Sequence, residues 1–230
     1  MPKKNRPGRL GRLTGRDPDH ERARTLHPFS AETTVRTRRF WKQDGWWGDQ
    51  GNTGTCVAFA LTHRHADPPM RHAEVPYERQ WVYDLYVEAT GDTSLQEGTW
   101  AHVVARRMME RGLIKSFEWV TSPAALRYAV LERGTVCVGT YWHEQMFWPR
   151  AEHNNKYLHV EGPIVGGHEY LVNAIELEPE FGGPPYYRVK NSWGRNWGKN
   201  GTARIACTDL EALVFDNYGD AVVLSEVKSA

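Results

Sequence analysis

The periodicity of the chain changes once, near Gly134, and that change limits the folds open to it. Before it, apolar residues recur at helical spacing; after it, they alternate as in strands. The segment from Cys56 runs to Pro68 without Gly or Pro, and Thr55 is placed to cap it. "YERQWVYDLYVEATG" sets Tyr77, Trp81 and Leu85 on one helix face, with Gly91 past the end. "WAHVVARRMMERG" makes a stripe of Trp100, Val103, Val104 and Met108 that stops at Gly112. Ser122 as cap and Pro123 as first residue open another helix, which stops at Gly134. Beyond it, "TVCVGTYW", "HEYLVNAIELE", "YYRVKNSW", "TARIAC" and "AVVLSEV" are short strand candidates separated by turn residues, with Val136 and Val138 on one face of the first. Helices first and strands second predict an α+β fold with a helical lobe over about 39–134 and a β-rich lobe over about 135–230.

The chain has 230 residues, enough to bury a sizeable core. With 29 basic and 28 acidic residues, nothing overall points to a nucleic-acid or membrane partner. The charge is uneven, since residues 1–40 carry eleven of the basic residues and four of the acidic ones. Residues 1–38 therefore read as a basic, flexible, solvated arm, with a role in interaction left open. No apolar block of signal-peptide length follows "MPKKNRPGRLGRLTGR", and no window reaches the roughly 18 apolar residues of a membrane span. Three cysteines are too few and too odd for a disulfide framework, which fits a reducing, cytoplasmic setting. Cys137 and Cys207 read as buried thiols, Cys207 at the end of a strand. His63, His65 and His72 lack a converging spacing and read as solvated helix-end residues, so no metal or cofactor is expected.

Cys56 is the exception among the cysteines. A cysteine in the first turn of a helix feels free N–H groups and the positive end of the helix dipole, and both favour thiolate. The preceding "GNTG" lets a substrate approach closely, and Gln50 offers an amide donor six residues earlier. His168 follows two glycines at the start of a strand. Asn191 follows another strand and is succeeded by Ser192 and Trp193. An asparagine oxygen can hold one imidazole nitrogen so that the other faces a thiol.

Cysteine, histidine and asparagine in that order, with a glutamine before the cysteine, resemble the papain-like cysteine peptidases. "QGNTGTCVAF" is similar to the block around the family's nucleophile, "GGHEY" to the segment around its histidine, and "VKNSWGRNWGKNG" to its asparagine block. "QEGTWAHVVARRMMERG" is a weaker match to the segment that binds substrate backbone. The resemblance covers residues 41 to about 207 and implies a two-lobe fold, with a helical left lobe, an antiparallel β-barrel-like right lobe and the active site in the cleft. It implies Cys56 as nucleophile, His168 as general base and acid in an ion pair with the thiolate, Asn191 as its orienter, and Gln50 with the Cys56 N–H as oxyanion donors. It further implies that Trp193 shields the His–Asn contact, that Trp197 lines the side of the leaving amine, and that Gly98, Thr99, Trp100, Gly166 and Gly167 line the acyl side. The implied activity is peptide-bond hydrolysis on a peptide or protein substrate without a cofactor; the alternatives are acyl transfer to another amine and a catalytically idle binding module. Thr53 stands where the family has a cysteine, and "SLQEGTW" lacks the family's cysteines, so the left-lobe disulfides are absent. The forty residues before the match are too few for the family's usual helical propeptide, so either activation is controlled another way or the arm does something else.

Overall fold

The computed structural model describes residues 6, 8–15, 17–19, 28–29, 32–42, 46–67, 70–71, 74–180 and 182–226. Three helices build one half: α1 (Cys56–Ala66), α2 (Arg79–Thr90) and α3 (Ala101–Glu110). All of α1 is buried, as expected of a helix packed on every side. Helix α2 buries Val82, Leu85 and Tyr86 and ends at Gly91 in the left-handed region (φ 77°). Its buried face is offset from the Tyr77–Trp81–Leu85 stripe, because Tyr77 lies before the helix and turns its hydroxyl to His65 Nδ1 at 3.0 Å. Helix α3 buries Ala101, Val104, Ala105 and Met108. A short helix α4 (Pro123–Tyr128) begins where the sequence places it, with Ser122 Oγ accepting from Ala125 N at 3.1 Å; a wider π-type turn continues it to Arg133.

Among the described residues the other half is a sheet of ten strands: β1 (Pro28–Phe29), β2 (Arg38–Phe40), β3 (Ser116–Val120), β4 (Val136–His143), β5 (Arg150–Glu152), β6 (Asn155–Tyr157), β7 (Ile164–Glu176), β8 (Tyr186–Lys190), β9 (Thr202–Ala206) and β10 (Asp220–Ser225). The order is β1-β3-β10-β4-β7-β8-β9-β6-β5, with β2 also on β7. Pairing is antiparallel except at β1–β3 and β6–β9. The sheet is open and not closed into a barrel, which corrects the barrel-like right lobe. The segregation of helices and strands is also incomplete, since β1, β2 and β3 all come before Gly134. Strand β3 gets its partner from the far end of the sequence, with Phe117 opposite Leu224. Cys207 opens a short helix, α5 (Cys207–Glu211), one residue after β9 ends.

The central strands are buried on both faces and separate two cores. Side chains alternate across a strand, so Val136 and Val138 pack with Tyr170 and Val172 on one side. On the other side Cys137, Leu171 and Val222 pack against α1 and its neighbours. Each large apolar side chain buried this way contributes roughly 1.5–3 kcal/mol. His63 and His65 are buried structural groups and not solvated ones: His63 Nε2 accepts from Gly48 N at 2.9 Å, and His65 Nε2 donates to the Leu113 carbonyl at 2.9 Å. His72 lies outside the described residues. No helix among the described residues is long and apolar enough to cross a membrane.

Candidate active site

Cys56 is the first residue of α1 and is fully buried. The loop before it is tied down at both ends. Gln50 N donates to Ser192 O at 2.8 Å, and Gly54 N donates to Leu95 O at 2.7 Å. Thr55 holds the cap position without a side-chain cap bond; its hydroxyl pairs with that of Thr53 at 2.7 Å. Thr53 Oγ1 meanwhile lies 2.7 Å from the Gln50 carbonyl. Local hydrogen bonds thus brace the loop at the position where the family's cysteine is missing.

His168 lies on β7, opposite Thr140 of β4. Asn191 follows β8, and its Oδ1 lies 2.9 Å from His168 Nε2 and accepts from Ser192 N at 2.7 Å. Because Oδ1 only accepts, His168 carries its proton on Nε2 and leaves Nδ1 with a free lone pair. The imidazole is walled in by indoles, with Trp193 stacked on it at 4.6 Å and Trp142 edge-on at 4.8 Å. Trp197 packs behind Trp193 at 5.8 Å and donates through Nε1 to the Phe147 carbonyl at 3.1 Å. Trp193 and Trp197 line an open hollow of about 490 Å³ together with Trp148 and Lys156.

The described part of the N-terminal arm is not a solvated tail. Residues 8–13 cross the site as an extended strip. Gly8 lies flat on Trp193, so close that a Cβ there would fall 2.2 Å from the indole Cδ1. The Arg9 carbonyl accepts from Gln50 Nε2 at 3.1 Å, and Ser192 Oγ donates to Gln50 Oε1 at 2.6 Å, which settles which way the amide points. Gly11 O accepts from Thr99 N at 2.9 Å, Arg12 N donates to Gly167 O at 3.2 Å, and Leu13 N donates to Thr99 O at 3.2 Å. A Cβ on Gly98 would fall 2.2 Å from Gly11 O, so only glycine permits this approach. Further along, Asp17 accepts from the backbone N–H of His102 at 3.1 Å. The arm fails as a free tail for a physical reason. Its glycines let the backbone enter a narrow cleft, and the cleft edges satisfy its polar groups.

The backbones of Glu169 and Gly11 face the Cys56 thiol and oppose in part the effect of its burial. His168 Nδ1 is buried with no hydrogen-bond partner, so the ion pair expected from the sequence is not formed in this arrangement. Burial is the cause. It pushes the Cys56 thiol up to about 12 and pulls His168 down to about 4, the latter opposed in part by Asn191. Thiol and imidazole are both neutral under the arm.

The structure therefore links Gln50, Ser192, Asn191 and His168 by hydrogen bonds, with Trp193 stacked on the imidazole and Cys56 facing Glu169, the next residue after His168, and strings Gly98, Thr99, Gly166 and Gly167 along the arm. Trp100 faces the Arg12 guanidinium at 5.2 Å. Sequence reasoning missed Trp142, Ser192, Glu169 and Asp220. Glu169 was legible as an acid directly after the histidine; Asp220 carries no local signal, since its partner Arg12 is 208 residues away.

The family model for papain family cysteine protease matches residues 97–214, just over half of the chain. A gut-specific cysteine proteinase of Caenorhabditis elegans is 41% identical over 49 residues, 21% of this chain and 14% of that protein. A cathepsin B-like cysteine proteinase of Schistosoma japonicum is 39% identical over 49 residues, with the same coverage of 21% and 14%. The chain thus aligns with about a seventh of the length of the curated relatives it matches. Among solved structures, xylellain, a cysteine protease from Xylella fastidiosa, superposes with a TM-score of 0.69 at 15% identity, covering 99% of this chain and 100% of that one. Procathepsin B S9 from Trypanosoma congolense gives 0.67 at 14% identity, covering 94% and 87%. Bromelain from Ananas comosus, solved with the E64 inhibitor, gives 0.62 at 17% identity, covering 84% and 100%. These structures share the fold. The chain belongs to the papain family of cysteine proteases.

Proposed function

We propose that this chain is a cysteine peptidase that hydrolyses peptide bonds through a thioester on Cys56. The observation that carries the proposal is the pairing of His168 Nε2 with Asn191 Oδ1, 2.9 Å apart, on the wall that closes over the Cys56 helix start. With the arm displaced and a peptide in its place, Cys56 Sγ attacks the carbonyl carbon and His168 Nδ1 takes the thiol proton. Asn191 keeps the other nitrogen protonated and the ring in register, and Trp193 keeps water off that bond. Gln50 Nε2, with the backbone N–H of Cys56, receives the developing oxyanion. His168 then protonates the departing amine, and a water deprotonated by the same nitrogen releases the acid. Gly98, Thr99, Gly166 and Gly167 hold the acyl-side backbone, and Trp197 borders the amine side. Turnover requires residues 9–12 to leave the cleft. The three cysteines are free and buried, which fits a reducing compartment such as the cytoplasm. The test is peptide hydrolysis by the full chain and by Cys56→Ala, with active-site alkylation followed by mass spectrometry. Equal hydrolysis by both proteins overturns the proposal.

A further inference from the structure

A pocket beside the thiol encloses an entire arginine side chain. Arg12 donates from Nη2 to Asp220 Oδ2 at 2.6 Å, and its Nε lies 3.5 Å from Glu169 Oε2. Trp100 covers the guanidinium face. Glu169 follows His168 directly on β7, and Asp220 opens β10. Strand β4 runs between them, and its Gly139 makes the room: a Cβ there would fall 2.1 Å from Arg12 Nε and 2.3 Å from Glu169 Oε2.

The arm supplies the cation and the folded domain supplies both carboxylates. Arg12 is held in place by the backbone of Gly167 and Thr99, at the rim of the same cleft. Even with Arg12 in place, neither oxygen of Glu169 nor Asp220 Oδ1 accepts a hydrogen bond. When residues 9–12 leave, two buried carboxylates face each other with no counter-charge, which is costly until a cation replaces the one lost. An aliphatic side chain would leave both unpaired. A long basic one would reproduce the contacts of Arg12, and a guanidinium would also stack on Trp100.

Resting on the peptidase reading, we propose that this pocket selects substrates with an arginine or lysine on the acyl side of the cleaved bond. The side follows from the course of the arm. His168 must protonate the departing amine beneath Trp193, where Gly8 lies. The pocket of Arg12 lies past Gln50 in the other direction, toward Thr99.

The test uses the full-length chain carrying Arg12→Leu, which vacates the pocket, on peptides that differ only in Arg, Lys or Leu at each of the three positions before the cleaved bond. Charged hydrogen bonds of this kind predict a kcat/KM preference for Arg over Leu of roughly ten- to hundred-fold at one position. Adding Glu169→Gln and Asp220→Asn should collapse that ratio toward one. Hydrolysis without any basic preference overturns the pocket assignment and leaves the peptidase reading standing. If no peptide is hydrolysed, the peptidase reading fails, and the pocket is decided by iodoacetamide labelling of Cys56. Arg12→Leu should then label about ten-fold faster than Arg12→Lys, because only Lys keeps a cation in the pocket. Equal rates overturn the assignment.

Discussion

Gln50 Nε2 donates to the Arg9 carbonyl oxygen at 3.1 Å, so the proposed oxyanion donor is already engaged by the chain's own N-terminal segment. The same segment sets the backbone of Gly11 beside Cys56 and Gly8 on Trp193. On the proposed mechanism, arm and substrate compete for one set of groups, and the reactivity of Cys56 depends on which of them occupies the cleft.

Gly11→Val should dislodge the arm. A Cβ on Gly11 falls 1.9 Å from the Gly54 carbonyl oxygen, a backbone atom that cannot swing aside. Iodoacetamide at neutral pH should then label Cys56 at least about ten-fold faster than in the wild type, as burial of the thiol is relieved. An unchanged labelling rate would mean that residues 8–13 do not guard the thiol.

Gln50→Ala in the Gly11→Val background should lower kcat on the order of 100-fold, the usual loss for one oxyanion donor. Alkylation of Cys56, which builds no oxyanion, should be nearly unaffected. Ser192→Ala should have a weaker effect in the same direction, because Ser192 only orients the amide. If Gln50→Ala left kcat in place, its hydrogen bond to Arg9 would have no counterpart in the transition state.

The pH dependence of stability follows from the neutral pair. His168 is depressed from 6.5 to about 4, so its contribution is complete above pH 6.5 and is lost as pH falls toward 4. Cys56 is raised from 9.0 to about 12, so its contribution is complete below pH 9 and is lost as pH rises toward 12. The part of the melting-temperature profile owed to these two groups, read as wild type minus variant, should be flat from about pH 6.5 to 9 and should fall on both sides. His168→Gln should flatten the acid limb and Cys56→Ser the alkaline one. An acid limb that is the same with and without His168 would rule out a buried neutral His168.

Stability should not depend on oxidation. All three thiols are free and buried, Cys207 in one core and Cys56 and Cys137 in the other, where the Cys137 thiol donates to the Ala60 carbonyl at 3.5 Å. Reductant should leave the melting temperature unchanged. A drop of several degrees would reveal a bridge incompatible with this fold.

The helix ends and the main strands were legible because their signals are local. Ser122–Pro123 and Gly91 act within one turn of chain, and the alternation around Val136 needs only period two. Residue type and order made Cys56, His168, Asn191 and Gln50 the candidates in the sequence, and the structure joins Gln50, Asn191 and His168 through Ser192. What was not legible depends on distant partners. Strand β3 exists because Leu224 lies opposite Phe117. His63 and His65 are buried because Gly48 and Leu113 arrive to pair with them. The arm looked solvated because its basic residues have no local partners. Arg12 finds Asp220 across 208 positions, and no window of sequence contains both.

The most direct test of Cys56 as a nucleophile served by His168 is the pH profile of kcat/KM for one peptide, measured on full-length Gly11→Val, with His168→Ala and Asn191→Ala added singly. Once the arm no longer dries the site, thiolate and imidazolium should coexist. Activity should then rise at low pH, plateau, and fall again as His168 loses its proton. His168→Ala should abolish the bell, and Asn191→Ala should lower activity by less than His168→Ala does. A single limb rising near pH 8.5, the value of an ordinary thiol, and the same with or without His168, would contradict the mechanism.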